Sequence, residues 1–296
     1  MEIAVGITTC NEELTIGPLL AALQASQGAH FHITQIIVVS AACRDHTDDI
    51  VKTAAAQDSR IVLIPEPVRR GKSAAVNTFL SARRPSDLTF LFSGDVLPAP
   101  DFVARVSAAF QDANVGMAGG RPVPVNSPRT LTGQMGALLW DMHHDIALST
   151  PKLGEAIAFR SAVVQEIPPS SAVDEASIEA LVLAASLRLA YVPDALLSNR
   201  SPDTLREWLS QRRRIAYGHA WLQQKDGHAV STGDSGRVAQ VLTARLRRRP
   251  GLLPAAVVLV GIEAMARVLA RRDLAQRSDR HAIWDIAPST KSFRQQ

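Results

Sequence analysis

The most suggestive carboxylate in the sequence lies in the stretch Ser93-Gly94-Asp95, directly after the apolar run Leu88–Phe92. A carboxylate at the carboxyl end of a buried strand, beside a glycine that permits close approach, suits a divalent metal that bridges a diphosphate. An aspartate in a turn that satisfies local backbone amides is the alternative interpretation. The motif alone therefore indicates a metal site but does not distinguish it from a structural turn.

A second acidic feature is the adjacent pair Asp174-Glu175. Two neighbouring carboxylates can supply a general base, because their repulsion and partial burial raise the pKa of one of them. Acidic residues are also common in the first turn of a helix, where they complement the helix dipole. Both interpretations stay open at this point.

The basic residues form the third candidate group. Arg212, Arg213 and Arg214 precede His219, and arginine side chains bind phosphate in a bidentate manner. A solvated basic helix face, or a nucleic-acid patch, would have the same composition. Gly71-Lys72-Ser73 resembles the end of a phosphate-binding P-loop, but Glu66 stands where that loop requires glycine, which excludes the ATPase interpretation.

The first half of the chain alternates apolar runs with helical patterns, and this alternation predicts a mainly parallel α/β sheet flanked by helices. In such sheets, ligands bind at the carboxyl ends of the strands. The predicted strands are Ile3–Thr8, Ile36–Val39, Arg60–Ile64 and Leu88–Phe92, with a fifth at Gly116–Gly120.

The order of these motifs carries more information than any one of them. Asn11-Glu12 follows the first strand, Arg70-Gly71-Lys72 follows the third, and Gly94-Asp95 follows the fourth; Asp174-Glu175 and the Gln-x-x-Arg of 211–214 come later. Over about residues 1–222 the chain resembles the family 2 glycosyltransferases of the GT-A fold. The resemblance implies an inverting enzyme that moves a sugar, of the hexosyl type, from a nucleotide diphosphate sugar to an acceptor hydroxyl.

The resemblance also assigns roles. Asp95 would bind a divalent metal, Mn²⁺ or Mg²⁺, which His219 could approach. The family usually has Glu-Asp where this chain has Asp-Glu, which leaves two candidates for the base, Asp174 as the preferred one and Glu175 close behind. Arg213 or Arg214 would steady the departing diphosphate. The remaining expected nucleotide contacts are Thr8, Thr9, Asn11, Glu12, Ser40, Arg70, Lys72, Ser93 and Gly94.

Two departures from the family pattern matter. Ser93 and Ser40 stand where the family has aspartates, and a serine can donate a hydrogen bond but supplies no charge. A non-catalytic protein with a degenerate sugar-nucleotide site is therefore one alternative. A nucleotidyltransferase that makes nucleotide sugars is another, although the glycine-rich opening loop of that class is missing.

Composition and charge indicate the class of protein and its domain organisation. The chain has 296 residues, 46% of them hydrophobic and 20% charged, which excludes a disordered or fibrous protein, and its two cysteines exclude a disulfide framework. Residues 1–203 hold 15 basic against 21 acidic residues, whereas residues 204–296 hold 17 against 7. We expect a catalytic domain over residues 1–222, with a nucleotide half (1–122) and an acceptor half (123–222), and a basic helical extension over 223–296.

The extension contains an apolar run, Leu252–Ile262, between two arginine clusters. At 11 residues it is shorter than the roughly 20 that a spanning helix needs, so it predicts peripheral contact with an anionic membrane or a helix packed on the protein. We expect a cytoplasmic enzyme, able to contact the inner face of the membrane, whose acceptor could be lipid-linked or part of the cell envelope. Nucleic acid is not an expected partner, since aromatic residues are not interleaved with the arginines.

Overall fold

The structure, a computed structural model, describes residues 1–226, 235–276 and 287–291. The strands are β1 Glu2–Thr9, β2 His32–Ala41, β3 Ile61–Glu66, β4 Leu88–Ser93, β5 Leu97–Pro98, β6 Val115–Pro124, β7 Ala156–Arg160 and β8 Arg188–Asn199. The helices are α1 Ile16–Ala25, α2 Thr47–Gln57, α3 Lys72–Ala82, α4 Phe102–Ala108, α5 Leu131–Ala147, α6 Asp174–Ala184, α7 Leu205–Asp226, α8 Ser235–Arg248 and α9 Leu253–Ala275.

The eight strands form one sheet in the order β3-β2-β1-β4-β7-β6-β8-β5. Strands β3, β2, β1 and β4 are mutually parallel, whereas β7 pairs antiparallel with both β4 and β6. Strand β1 is therefore central, and the carboxyl ends of β1 and β4 meet at one edge of the sheet. This arrangement confirms the predicted α/β fold with a mainly parallel sheet.

The central strands are continuous apolar runs, because helices cover both faces of the sheet. In β1 every residue after Glu2 is buried, and its side chains divide between two hydrophobic clusters, one on each face. Helix α3 approaches β1 so closely that a Cβ on Gly6 would lie 2.6 Å from the Phe79 ring. This close packing fixes the amino terminus of α3, and with it Lys72, beside the carboxyl end of β1.

The C-terminal helices pack against the acceptor half of the chain. Helix α9 lies along α5 and α7, and Arg245 of α8 binds Asp141 and Asp145 of α5. The domain boundary expected at residue 222 falls inside the continuous helix α7. The loop that the sequence suggested at 225–236 lies mostly outside the described residues.

Helix α9 is longer than the apolar run predicted. Small and apolar residues continue beyond Glu263, so that the 26-residue segment 250–275 is long and apolar enough to cross a membrane, judged by length and composition only, and 22% of its apolar window is buried. The expectation that this segment is too short is therefore wrong. Its inner face nevertheless carries Glu263 and Asp273, which pair with Arg212 and Arg213 of α7 and attach the helix to the protein body.

Candidate active site

A cleft with a volume of about 1120 Å³ opens at the carboxyl ends of β1 and β4. The nucleotide half of the chain lines one side, and α5, α7, α8 and α9 line the other. Among the predicted site residues, those that line it are Thr8, Thr9, Glu12, Lys72, Ser93, Gly94, Asp95, Glu175, Arg214 and His219. Most of the predicted constellation is thus brought to one place.

The loops after β1 and β4 are packed against each other at Gly94. Its amide donates to the Thr8 carbonyl at 2.9 Å, and its carbonyl accepts from Thr15 Oγ1 at 2.7 Å. A Cβ at this position would lie 2.9 Å from Thr9 Oγ1 and 3.0 Å from Glu12 Cγ, so glycine is needed for the approach. The packing holds Asp95 beside the end of β1.

Asp95 interacts electrostatically with two buried carboxyl groups, those of Glu12 and Glu155. Burial raises the pKa of Glu12 to about 8, with the charge of Asp95 as the next cause. Burial also raises the pKa of Glu155 to about 7, again with Asp95 and then Glu175 contributing. A bound divalent cation would favour the ionised form of these carboxyl groups, and carboxylate oxygens are ligands that hard cations prefer.

The hydroxyl of Thr9 is a further polar group with which a bound ligand could pair. Thr9 Oγ1 is buried and has no hydrogen-bond partner, which costs free energy unless a bound group pairs with it. Within the three described ranges, no three His, Cys, Asp or Glu side chains surround a common point. The residues therefore fit a divalent metal for which Asp95 would be the protein ligand, rather than a closed protein cage.

Lys72 joins the two predicted base candidates. Its Nζ lies 3.1 Å from Asp174 Oδ2 and 2.8 Å from Glu175 Oε1. Asn77 of α3 holds the opposite loop through two hydrogen bonds with the backbone of Ile167, at 2.8 and 3.0 Å. These bonds fix α6 so that its acidic first turn faces α3.

The two acids differ in placement. Glu175 lines both the main cleft and a small adjoining cavity, whereas Asp174 is 3% exposed and lines only the small cavity. Burial and the charge of Glu175 raise the pKa of Asp174 to about 7, while Lys72 holds the pKa of Glu175 below its usual value. An ionised carboxylate therefore faces the cleft at Glu175.

The three consecutive arginines of α7 point in different directions. Arg214 lines the cleft, where its guanidinium donates to the Ala172 carbonyl at 3.1 Å and interacts electrostatically with Glu175. Arg212 also lines the cleft and pairs with Glu263.

Arg213 instead binds Asp273 of α9, with Nε 2.6 Å from Oδ2. Arg213 thus attaches α9 to the protein body, and of the two arginines only Arg214 lines the cleft.

Three predicted nucleotide contacts lie outside the lining of the cleft. Asn11 accepts a hydrogen bond from the Arg44 amide at 2.8 Å and joins the loops after β1 and β2. Ser40 is 1% exposed, and its hydroxyl donates to Asp48. Arg70 pairs with Glu66, and it is the neighbouring Arg69 that lines the cleft.

His219 lies on the acceptor side of the cleft. Burial lowers its pKa well below the usual value, and the next contributions come from Lys152 and Arg212. Burial similarly lowers the pKa of His143 to about 3 and that of Lys152 to about 8. The electrostatic neighbours of His219 are therefore acceptor-side groups, and the structure offers no support for His219 as a partner of Asp95 in metal binding.

Sequence reasoning missed several residues that line the cleft, among them Glu155, Lys152, Arg69 and Lys291. Glu155 has a φ of 66°, a backbone conformation that non-glycine residues rarely adopt and that often marks functional sites. It directly precedes β7, and the sequence alone assigned it no role. Nothing in the local sequence marks Lys291, because its partner is 279 residues away.

Several solved structures share the fold. A mannosyltransferase from Pyrobaculum calidifontis, in complex with GDP-Man and Mn²⁺, matches with a TM-score of 0.59 and 22% identity, covering 93% of this chain and 79% of that chain. Glucosyl-3-phosphoglycerate synthase from Mycobacterium tuberculosis, in complex with Mn²⁺, UDP and phosphoglyceric acid, matches with a TM-score of 0.53 and 16% identity over 73% and 76%. The same synthase with Mg²⁺ and UDP gives 0.53 and 17% over 77% and 80%.

A search of curated proteins found no match. The sequence profile of Glycosyltransferase like family 2 matches residues 2–218, which is most of the chain and includes the motifs at 93–95, 174–175 and 211–214. The chain belongs to glycosyltransferase family 2.

Proposed function

We propose that the protein is an inverting glycosyltransferase that moves a hexosyl group from a nucleotide diphosphate sugar to an acceptor hydroxyl. The observation that carries this proposal is the joint placement of Asp95, Glu175 and Arg214 in one cleft at the carboxyl ends of β1 and β4. A metal-binding carboxylate, a base and an arginine are the three groups that displacement of a diphosphate requires. The structural neighbours bind GDP-Man or UDP, which supports a nucleotide-linked donor.

In the proposed reaction, the acceptor oxygen forms a bond to the anomeric carbon while the bond from that carbon to the diphosphate oxygen breaks. Glu175 accepts the proton of the acceptor hydroxyl, and the electron pair of the breaking bond leaves with the nucleoside diphosphate. Arg214 stabilises the negative charge that develops on the leaving group. A divalent cation held by Asp95 would supply further charge stabilisation to the diphosphate.

The placement of the acidic pair makes Glu175 the better base. It faces the space where an acceptor can bind, whereas Asp174 is buried behind it against Lys72. Asp174 would then act on Lys72 and hold it in position between the two carboxylates. This reverses the preference for Asp174 that the sequence suggested.

A comparison of the wild type with one variant tests the enzymatic claim. Purified wild type and Glu175→Gln are incubated with UDP-, GDP- and dTDP-hexoses, Mn²⁺ and a membrane lipid extract that supplies acceptor hydroxyls, and nucleoside diphosphate release is measured. We expect release from one donor by the wild type and a loss of about 10²–10⁴-fold in the variant, with donor binding retained. Binding without any release by the wild type would favour the alternative, a non-catalytic sugar-nucleotide-binding protein.

For the acceptor, we propose a lipid-linked molecule of the cell envelope, reached from the cytoplasmic side of the membrane. The outer face of α9 exposes Leu253, Val257, Val260, Met265 and Val268, each by more than half. Such a contiguous apolar face is unusual on a soluble monomer. Val260 also lines the cleft, so the apolar face continues into the acceptor side of the site.

The flanks of this face are basic. Exposed arginines precede the helix at 247–249 and follow its apolar part at 271 and 272. Arginine clusters at both ends of an exposed apolar helix suit the headgroup region of an anionic bilayer. The ion pairs of Glu263 and Asp273 with α7 favour a helix that lies on the membrane over one that crosses it.

A further inference from the structure

A short C-terminal segment, residues 287–291, lies across the mouth of the cleft and is fixed at both ends. On the acceptor side, Ser289 Oγ donates to Glu207 Oε2 at 2.7 Å and accepts from the Asp203 amide at 3.0 Å. On the nucleotide side, the Lys291 ammonium pairs with Glu12 Oε1. The segment therefore connects the two halves of the site, and we call it the C-terminal strap.

Lys291 carries its charge into the part of the cleft where the metal-binding carboxylate lies. Its side chain is 22% exposed and that of Glu12 only 3%, and the ammonium interacts electrostatically with Asp95 as well as with Glu12. A buried ammonium is stable only when opposite charges compensate its lost hydration. It also has three donor hydrogens, so pairing with Glu12 leaves capacity for phosphate oxygens.

We infer that Lys291 is a donor-binding residue, and that the C-terminal strap places its ammonium on the diphosphate of the sugar nucleotide. This inference rests on the proposed function, because it assumes that the diphosphate lies next to Asp95. Lys291 and Asp95 line the same cleft and interact electrostatically, so a group bound beside Asp95 lies in the field of the Lys291 ammonium. This ammonium supplies positive charge for the diphosphate at a point lined by the carboxyl groups of Glu12 and Asp95.

The serine at position 93 also supports a donor-binding role for Lys291. The family motif has an acidic residue at this place, and its replacement by serine leaves one carboxylate fewer to attract a cation. A lysine contributed by the chain itself would supply part of the positive charge that phosphate binding needs. The strap thereby ties donor binding to the C-terminal end of the chain.

Calorimetric titration of GDP and UDP, with and without Mn²⁺, tests the inference in wild type, Lys291→Ala and Lys291→Arg. We expect Lys291→Ala to weaken binding of the nucleoside diphosphate at least tenfold in both conditions and Lys291→Arg to restore most of it. Binding of the free nucleoside, which has no phosphate, should not change. Lys52→Ala, on an exposed part of α2, is the matched control and should bind like the wild type.

A second variant, Ser289→Ala, removes the anchor on α7 but keeps the lysine, and it should weaken diphosphate binding by a smaller factor of about three. Unchanged diphosphate affinity in Lys291→Ala would overturn the inference. So would tighter Mn²⁺ binding by that variant in electron paramagnetic resonance without weaker nucleotide binding, since Lys291 would then be a competitor of the metal. If the wild type binds no nucleotide at all, the proposed function itself fails.

Discussion

Arg213 and Arg214 are adjacent in the sequence, but the structure predicts opposite consequences for their removal. Arg213 pairs with Asp273, whose side chain is 5% exposed, through Nε at 2.6 Å and a second nitrogen at 2.5 Å. Arg213→Ala removes this bidentate ion pair from a buried carboxylate. Breaking a buried pair costs about 3–5 kcal/mol, and because Arg213 is itself 28% exposed we expect about 2–3 kcal/mol.

For a chain of this size, each kcal/mol corresponds to roughly 2–4 °C in the melting temperature, so Arg213→Ala should melt about 5–10 °C below the wild type. The double variant Arg213→Met with Asp273→Leu removes both charges and should recover most of this loss. Arg214→Ala should instead lower kcat by about 10²-fold, because it removes charge stabilisation of the leaving group.

Thermal denaturation followed by circular dichroism, together with nucleoside diphosphate release per folded molecule, separates the two effects. Arg213→Ala should retain near wild-type kcat below its melting temperature. A hundredfold loss of kcat in Arg213→Ala, with the melting temperature unchanged, would show that Arg213 and not Arg214 serves the leaving group. The reasoning from the Asp273 contact would then be refuted.

Two further predictions concern pH and the membrane. The pKa of Glu155 is about 7 in the folded protein against an ordinary value of 4.5, so the stability linked to this group is present below about pH 4.5 and is lost as pH rises through 7. Glu155→Gln should therefore stabilise the metal-free protein by about 1–2 kcal/mol at pH 8 and change it little at pH 5; the reverse order in urea denaturation would contradict the burial of this carboxyl. In vesicle flotation, the wild type should bind anionic vesicles, Val257→Asp with Val268→Asp should bind at least tenfold less, and Val62→Asp, on β3, should bind normally. Equal binding by all three proteins would show that α9 is not the membrane contact.

The fold was largely predictable because buried parallel strands are continuous apolar runs. Ile3–Thr8 and Leu88–Phe92 correspond to β1 and β4, and the polar residues that follow them meet at the cleft. The rotation of α7 was not predictable, since Asp273, 60 residues away, decides which arginine faces α9. Ser40 illustrates the same limit, because its contact with Asp48 becomes visible only when β2 and α2 are in place.

The roles assigned to the other residues all depend on the donor site. A calorimetric titration of UDP, GDP and dTDP tests this site most directly. Each nucleotide is titrated with and without Mn²⁺ into the wild type and Asp95→Ala. We predict that one nucleotide binds in a metal-dependent manner and that Asp95→Ala abolishes the metal dependence. Failure of all three to bind, or metal-dependent binding that survives in Asp95→Ala, would contradict the assignment of this cleft.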